Sequence, residues 1–277
     1  MPELPEVETI RRELDREVAG KKIASVEVTG TRTVRRGTKK QLVDRLVGHT
    51  IKGARRKGKY LCLVLDDGGW LVIHLRMSGQ LLKAAPKDPK PKHTHVVVTF
   101  AQGGQLRFVD PRTFGEVFVV DPARLVEDAP DLAELGWDPL EEGITLPSFA
   151  QLLLSRRMQL KALLSDQKIV AGLGNIYTDE ILHAAGLRYD RQSNTLTSQE
   201  IRRLSRAILE VLHDAIAARG SSLADEQYVD LSGRPGTYQL QHQVHARDGK
   251  ACPRCRATIE KAKYQGRSTY YCPSCQV

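Results

Sequence analysis

The first residues of the chain have the types and spacing needed for amine chemistry on a sugar. The sequence opens Met1-Pro2-Glu3, and removal of the initiator Met would leave the secondary amine of Pro2 as the terminus. A neutral amine attacks a sugar carbonyl to form a Schiff base, and an α-amino group with a pKa near ~8 is neutral far more often than a lysine with a pKa near ~10.4. Glu3 is placed to move protons to and from the sugar. Alternatively, these residues merely begin a helix, which proline and carboxylates both favour.

A reactive terminus must be held in place, and the next residues predict an amphipathic helix that holds it. Apolar residues recur at helical spacing, and Gly20 is placed to end the helix. The apolar residues are Leu4, Val7, Ile10, Leu14 and Val18. One face of this helix should therefore be buried.

A second set of residues has metal-ligand spacing near the end of the chain. Cys252 and Cys255 form one C-x2-C pair, Cys272 and Cys275 form another, and sixteen residues separate the pairs. This is the spacing of a four-cysteine zinc site closed by two knuckles of a β-hairpin, and disulfides are the alternative. Four thiolates leave no open position, so the predicted zinc is structural, and it should stabilise a unit too small to fold alone. The fifth cysteine, Cys62, lies within an apolar run and is predicted to be in the core.

Composition indicates a polyanionic partner. The chain has 277 residues, a net charge of +9 and a pI near 9.4, which is typical of a protein that binds nucleic acid. Its length allows two domains. The charge-rich first twenty residues do not resemble an export signal, and no apolar run is long enough to span a bilayer. We therefore expect a cytoplasmic, nucleoid-associated protein whose clustered cysteines are reduced.

The charge changes sign along the chain. From Thr31 to Lys59 there are eleven Lys or Arg against one acid. Such a run is usually a solvated face, but its size favours phosphate contact. From Asp121 to Glu142 there are eight acids and one arginine, which predicts a connector that faces solvent, away from nucleic acid.

Between the first helix and this connector the sequence predicts strands without intervening helices, which favours an antiparallel sandwich. The predicted strands are Ile23–Val28, Tyr60–Leu65, Trp70–Leu75, His95–Phe100, Gln105–Val109 and Gly115–Val120. Beyond the connector, helical periodicity dominates. The fold class is therefore α+β, with two lobes.

Two segments of the helical part have more than one interpretation. The glycine turn Ala171–Asn175 brings backbone N–H groups and Asn175 to a helix start, which can hold a phosphate, although Asn175 also suits a plain N-cap. The polar segment Ser221–Leu240 has little periodicity, so it is either a spacer or a lid over a substrate pocket.

Taken together, the motifs resemble those of formamidopyrimidine-DNA glycosylases, bacterial base-excision enzymes for oxidised purines such as 8-oxoguanine. The matching stretches keep the family's order from the first residue to the last. They are PELPEVETIRREL at the start, HLRMSG (His74–Gly79), DPRTFG (Asp110–Gly115), VAGLGNIYTDE (Val170–Glu180) and GRSTYYCPSCQ (Gly266–Gln276).

The resemblance implies a domain organisation. An N-terminal β-sandwich domain with flanking helices would span residues 1–130, a linker 131–145, a helix–two-turn–helix domain 146–246, and a zinc finger 247–277. The lesion-recognition loop would be 221–240. The protein would act as a monomer on double-stranded DNA held in a basic cleft between the lobes, with one structural Zn²⁺ and no membrane contact.

The resemblance also implies roles for the residues at the reacting sugar. Pro2 matches the nucleophile that attacks C1′, and Glu3 matches the acid that assists ring opening. Glu6 matches a supporting carboxylate at the helix start, and Lys59 matches an active-site lysine near the lesion or its phosphate. Excision of the base by β,δ-elimination would nick the strand on both sides of the sugar.

Other matching residues would handle the DNA. Met77, Arg112 and Phe114 match residues that fill the void left by a flipped base. Without the resemblance, Met77 and Phe114 would pass as core residues.

Phosphate contacts are implied as well. Asn175 and Arg267 match the clamp on the flipped nucleotide, and Arg267 is grouped with the catalytic residues. Lys161 and His74 would add backbone contacts, and Ser221–Leu240 matches the segment that closes over an oxidised purine.

The sequence departs from the family pattern in places. Arg256 follows a knuckle cysteine where glycine is expected, Ala162 stands where proline is frequent, and Asp225–Thr237 aligns loosely. Leu4 favours the purine branch over the endonuclease VIII branch, which acts on oxidised pyrimidines. That branch, and a non-catalytic DNA-binding relative, are the alternative interpretations.

Overall fold

The structure is a computed structural model that describes residues 1–30, 32–141, 143–223 and 228–277. The chain divides into two compact units. The first comprises Met1–Glu134 with Ala218–Thr237, and the second comprises Leu135–Ala217 with Tyr238–Val277. Among the described residues, no helix has the length and apolar character needed to cross a membrane.

The first unit begins with helix α1 (Leu4–Val18). The backbone N–H of Glu3 donates to Glu6 Oε2 at 2.7 Å, half of a capping box that satisfies free backbone groups at the helix start. The five apolar residues predicted to line one face are all buried. The predicted helix and its buried face are therefore confirmed.

Two four-stranded antiparallel sheets follow, which confirms the predicted antiparallel sandwich. The strands are β1 (Ile23–Val28), β2 (Ile51–Lys57), β3 (Tyr60–Leu65), β4 (Trp70–His74), β5 (Gln80–Ala84), β6 (Thr94–Phe100), β7 (Gln105–Val109) and β8 (Glu116–Val120). One sheet has the order β1-β6-β7-β5 and the other β2-β3-β4-β8. Apolar residues of both sheets and of α1 form one buried cluster, which also contains Tyr228 and Leu231. Burial of this shared core stabilises the sandwich.

The basic run contains regular structure that the sequence pattern did not predict. Helix α2 (Lys39–Leu46) begins at a capping box in which Gln41 N donates to Thr38 Oγ1 at 3.2 Å and Thr38 N donates to Gln41 Oε1 at 2.8 Å. Strands β2 and β5 were also missed. In β2 a buried charge, Arg56, stands where the alternation of a half-buried strand calls for an apolar residue.

The acidic connector is partly ordered in the first unit. It forms α3 (Leu125–Asp128) and α4 (Pro130–Ala133), and Leu132 is buried. Arg36 of the basic run pairs with Asp131 at 3.1 Å, so part of the opposite charge on these two stretches is neutralised internally.

The second unit is helical and ends in a hairpin. Its elements are α5 (Leu146–Leu154), α6 (Leu160–Ser165), α7 (Asn175–Ala185), α8 (Ser198–Ala217), β9 (Glu260–Tyr264) and β10 (Arg267–Tyr271). The main-chain N–H of Val277 donates to Gly186 O at 3.3 Å, and Gln276 Nε2 donates to Leu187 O at 2.9 Å. These bonds attach the end of the chain to the end of α7.

Contacts group the chain differently from the domain limits expected above. Residues 218–237 belong to the first unit, whereas the prediction placed 221–240 in the helical domain. The reason is that the described part of this segment makes hydrogen bonds to α1. Residues 224–227 of the predicted recognition loop lie outside the described residues.

Candidate functional site

The N-terminal candidates lie together at the start of α1. Pro2 and Glu3 are buried, while Met1 is exposed. The Glu6 carboxylate accepts from the Glu3 main-chain N–H through Oε2 and from the Ser221 main-chain N–H through Oε1, each at 2.7 Å. One carboxylate therefore fixes the backbone of the proposed proton-transfer residue and holds the segment that begins at Ser221.

Lys59 lies in the tight turn between β2 and β3 and is buried. The preceding Arg56 stabilises this turn, since its Nη1 donates to Gly58 O at 3.0 Å and its Nε donates to Glu8 Oε2 of α1 at 3.2 Å. Burial opposes ionisation of Glu8, but hydrogen bonds from arginines of its own helix lower its pKa overall. An ionised Glu8 thus ties the Lys59 turn to the helix that carries Pro2 and Glu3.

The candidate void-filling residues lie in two loops of the same unit. Met77 is 43% exposed in the turn after β4, and Phe114 is 50% exposed in the loop before β8. The guanidinium of Arg112 lies 5.1 Å from the centre of the Phe114 ring. Two large apolar side chains in solvent are the form a wedge between bases would take.

A buried carboxylate that the sequence analysis did not single out connects these two loops. Asp110 Oδ1 accepts from Ser78 Oγ at 2.5 Å and from Arg112 N at 3.1 Å, and its Oδ2 accepts from Gly115 N at 2.7 Å. Ser78 adjoins Met77, so one Asp110 side chain holds both loops that carry the candidate void-filling residues; these two loops are called the wedge loops below. Its place in the DPRTFG motif was the only available signal.

His74 ends β4 and is a neutral group. Burial lowers its pKa well below the ordinary value, and the charges of Arg76 and Lys59 lower it further. Its Nδ1 accepts from Arg76 N at 2.9 Å, which leaves the ring proton on Nε2. The predicted backbone contact would therefore be a hydrogen bond rather than an ion pair.

In the second unit, the structure brings the predicted phosphate-contacting residues together. Lys161, Asn175 and Arg267 line one open cavity of about 400 Å³. Asn175 is not an N-cap, because Gly174 occupies that position. Its side-chain Nδ2 instead donates to Ser268 O of β10 at 2.9 Å, so Asn175 joins the start of α7 to the hairpin.

The ammonium group of Lys161 is held inside the second unit. It donates to Asp179 Oδ1 at 2.5 Å and to Thr269 Oγ1 at 2.6 Å, and it is almost fully buried. Asp179 also accepts from Thr269 Oγ1 at 2.7 Å and bonds His245 Nδ1 at 2.9 Å. Asp179, another residue that the sequence analysis missed, thus orients α6, α7 and β10 around the cavity, and Lys161 shares in that task.

The four predicted zinc ligands meet at one point. The Sγ atom of Cys255 lies 3.4 Å from that of Cys272 and 3.5 Å from that of Cys275, and Cys252 lies 3.5 Å from Cys275. A tetrahedral site with Zn–S bonds of ~2.3 Å has sulfur–sulfur edges of about 3.8 Å, so the thiolates fit a zinc ion after a small expansion.

Two further residues lie beside the zinc ligands. His183 of α7 places Nε2 3.4 Å from the Cys252 sulfur, the position from which outer residues orient a metal ligand. Arg256 has φ +70°, which explains why glycine is expected there, since the left-handed region costs other residues roughly 1–2 kcal/mol.

Comparison with known proteins gives matches to three successive stretches of the chain. Family models match at residues 1–117 (formamidopyrimidine-DNA glycosylase N-terminal domain), 135–227 (formamidopyrimidine-DNA glycosylase H2TH domain) and 249–277 (zinc finger found in FPG and IleRS). A formamidopyrimidine-DNA glycosylase of Pelotomaculum thermopropionicum is 44% identical over 100% of this chain and 99% of its own. The chain belongs to the formamidopyrimidine-DNA glycosylase family. The resemblance inferred from the motifs is thereby confirmed.

Solved structures of this glycosylase family share the fold. A Lactococcus lactis FPG mutant in complex with Fapy-dG-containing DNA has a TM-score of 0.89 and 38% identity, and 99% of each chain is covered. A MutM complex with DNA containing carbocyclic 8-oxo-G gives 0.89 and 37%, also over 99% of each chain. The sandwich, the H2TH domain and the zinc finger expected for a formamidopyrimidine-DNA glycosylase are therefore confirmed, and the four cysteines form its structural zinc site.

Proposed function

We propose that this chain is a base-excision repair enzyme that removes oxidised purines from duplex DNA and then cleaves the strand at the abasic site. The observation that carries the proposal is the N-terminal Pro2-Glu3 pair, buried at the start of a capped helix, in a chain that belongs to this family over its full length. Solved relatives in complex with Fapy-dG DNA and with abasic-site DNA support both the lesion class and the second substrate.

The proposed reaction starts at the terminus that Met1 removal exposes. The Pro2 nitrogen attacks C1′ of the damaged nucleotide, the bond to the base breaks, and the base leaves with a proton. The sugar ring opens as Glu3 protonates its oxygen, and the C1′–N bond becomes an iminium ion that is positive without needing a proton.

The iminium ion then draws electrons for two eliminations. Loss of a proton from C2′ expels the 3′ phosphate, and a second elimination expels the 5′ phosphate. Glu3 would relay these protons, and the Glu6 carboxylate would hold the Glu3 backbone in place as it does so. Lys59 would supply positive charge near the lesion or its phosphate.

The remaining candidate residues would present the nucleotide. A base inside a duplex is out of reach, and its extrusion costs a few kcal/mol. Met77, Phe114 and Arg112 would fill the gap, while Asn175 and Arg267 would hold the backbone of the flipped nucleotide. His74 would donate a neutral hydrogen bond, and Lys161 would orient the cavity it lines.

We propose that the protein acts as a monomer. We also propose that it works in the cytoplasm, at the nucleoid, because its proposed substrate is chromosomal DNA. Two other functions stay open as outcomes of the test. Leu4 favours purines over the oxidised pyrimidines of the endonuclease VIII branch. A purely DNA-binding role would need neither the proline nor the buried glutamate.

The test is borohydride trapping on duplex DNA with one 8-oxoguanine opposite cytosine. Reduction converts the Schiff base into a stable adduct, and peptide mapping should locate it on Pro2. As a control, a chain with an uncleaved extension ahead of Pro2 should bind the duplex but give no adduct. An adduct with an oxidised pyrimidine alone would move the protein to the other branch, and DNA binding without any adduct would leave a binding protein.

A further inference from the structure

The described parts of the segment 218–237 are a leading stem, residues 218–223, and a returning stem, residues 228–237, and each is docked on α1 at one place. Glu6 and Glu13 are seven residues apart, so they lie two turns apart on one side of the helix. Glu6 Oε1 accepts from Ser221 N of the leading stem at 2.7 Å, and Glu13 Oε2 accepts from Leu231 N of the returning stem at 2.9 Å. Each carboxylate therefore holds one stem of the segment.

A four-residue ion cluster strengthens the second attachment. Arg219 donates through Nη2 to both Glu13 and Asp230. Arg234 donates through Nε to Asp230 at 3.0 Å, and its Nη2 lies 3.4 Å from Glu13. Two carboxylates and two guanidinium groups give no net charge, and both carboxylates are buried. We call these four residues the stem cluster.

The stem cluster joins both ends of the segment to the same helix. Arg219 belongs to the leading stem and Asp230 to the returning stem, whereas Glu13 belongs to α1. Asp230 also accepts from the backbone N–H groups of Ser232 and Arg234 at 2.8 and 3.0 Å. The turn in which Asp230 lies therefore fixes the position of its carboxylate.

We propose that the stem cluster is a positioning device that sets the two stems, residues 218–223 and 228–237, relative to Pro2 and Glu3, and so governs excision of an oxidised purine but not cleavage at an abasic site. The inference rests on the proposed function, in which this segment closes over the damaged base. The physical reason is that a single helix connects the two stems to Pro2 and Glu3. Helix α1, whose N-cap is Glu3, carries both attachment points, so a shift of the stems along α1 changes their position relative to the proposed nucleophile.

Loss of one charge should displace the stems without unfolding the unit. Tyr228 and Leu231 remain in the apolar core, and Lys83 N still donates to Leu231 O at 2.9 Å. Glu13→Gln keeps the size of the side chain and one acceptor oxygen, but it leaves two guanidinium groups sharing the single carboxylate of Asp230.

The matched control is Glu17→Gln. Glu17 lies one turn beyond Glu13 on α1 and forms one exposed ion pair, with Lys83 at 2.5 Å, but among the described residues it makes no hydrogen bond or ion pair with the stem cluster. Both variants lose one negative charge from the same helix, so general effects on DNA affinity cancel in the comparison.

The experiment measures single-turnover cleavage of two duplexes, one with 8-oxoguanine opposite cytosine and one with a pre-formed abasic site. Glu13→Gln should slow the 8-oxoguanine reaction by about tenfold or more, because small misplacements of positioning groups cost up to about a hundredfold. Cleavage of the abasic duplex should stay within about twofold of the Glu17→Gln control, a change equivalent to under ~0.5 kcal/mol. The loss should appear in the maximal rate rather than in the duplex concentration needed for half-saturation.

Equal loss on both duplexes would overturn the proposal, and so would equal behaviour of the two variants. If Glu13→Gln proves unstable in urea unfolding, Arg234→Lys tests the same cluster from an exposed side chain and must show the same separation of the two activities. Failure of the unmodified protein on both duplexes would instead refute the proposed function, so the two failures are distinguishable.

Discussion

Replacing Phe114 with alanine should slow removal of a paired base while leaving the fold intact. The ring is 50% exposed, and its one aromatic contact among the described residues is the guanidinium of Arg112 at 5.1 Å. A cation–π contact at an exposed site is worth about 0.5–1 kcal/mol. The free energy of unfolding should therefore fall by no more than about 1 kcal/mol, and Asp110 should continue to hold the loop.

The functional effect should be larger, because the role proposed for the ring is at the extrusion step. Stacking of an aromatic side chain on a base is worth about 1–3 kcal/mol, and this stabilisation is gained only when the ring replaces the flipped base. Loss of about 1.4 kcal/mol slows a step tenfold, so excision of 8-oxoguanine should slow by about 5- to 150-fold. An abasic site has no base to extrude, and its cleavage should change by less than about threefold.

Single-turnover cleavage of the two duplexes measures both rates, and Val126→Ala supplies the control. Val126 is an exposed apolar residue of the same unit, 76% accessible, and it lies outside both wedge loops. Its replacement should alter neither rate. Equal slowing of both reactions by Phe114→Ala would refute the wedge assignment. A decrease of several kcal/mol in the free energy of unfolding of the variant would show that the ring belongs to the core.

Three further predictions concern the zinc, the pH and the backbone. Cys272→Ser should release zinc, lower the unfolding temperature and abolish DNA binding. A zinc-dye titration measures the release, and thermal unfolding measures the loss of stability. Burial lowers the pKa of His242 to about 4 and that of His74 well below its ordinary value. The free energy of unfolding should therefore be highest above about pH 6.5. It should fall as the pH drops below that value, by up to ~1.4 kcal/mol per pH unit for each histidine, because the unfolded chain binds these protons more readily. Urea unfolding between pH 7.5 and 5 should show this slope, and the slope should weaken in His242→Asn. Gly220→Ala should destabilise more than Gly233→Ala, since both have φ near +80° but only at Gly220 would a Cβ meet a carboxylate of α1, at 2.5 Å. Equal unfolding free energies for the two alanine variants would contradict that steric argument.

The features predicted from the sequence are those whose cause is local. The helix at residues 4–18 and the zinc ligands follow from spacing within one segment, and the structure confirms both. Strand β3 was predicted with its observed limits because its apolar run is uninterrupted. Strand β2 was missed because Arg56 interrupts the pattern, and its burial depends on Glu8, which is 48 residues away.

Site residues that act through distant partners were also missed. Asp110 occupies a turn sequence in which aspartate is ordinary, and nothing nearby shows that it binds Ser78, 32 residues away. Asp179 meets Thr269 across 90 residues. A carboxylate is buried only where donors from elsewhere in the fold satisfy it, so its local sequence carries almost no information on that outcome.

The segment 218–237 shows the same limit at larger scale. Its serines, glycines and aspartates predict a polar loop, since a polar stretch without periodicity cannot bury itself. Its charges nevertheless form the stem cluster with Glu13, which lies more than two hundred residues earlier in the chain. Local polarity thus predicts exposure only when charges lack partners. Here the two arginines match two carboxylates, so the two described stems can be held against α1, and the proposed recognition of the lesion would be coupled to the proposed chemistry through that helix.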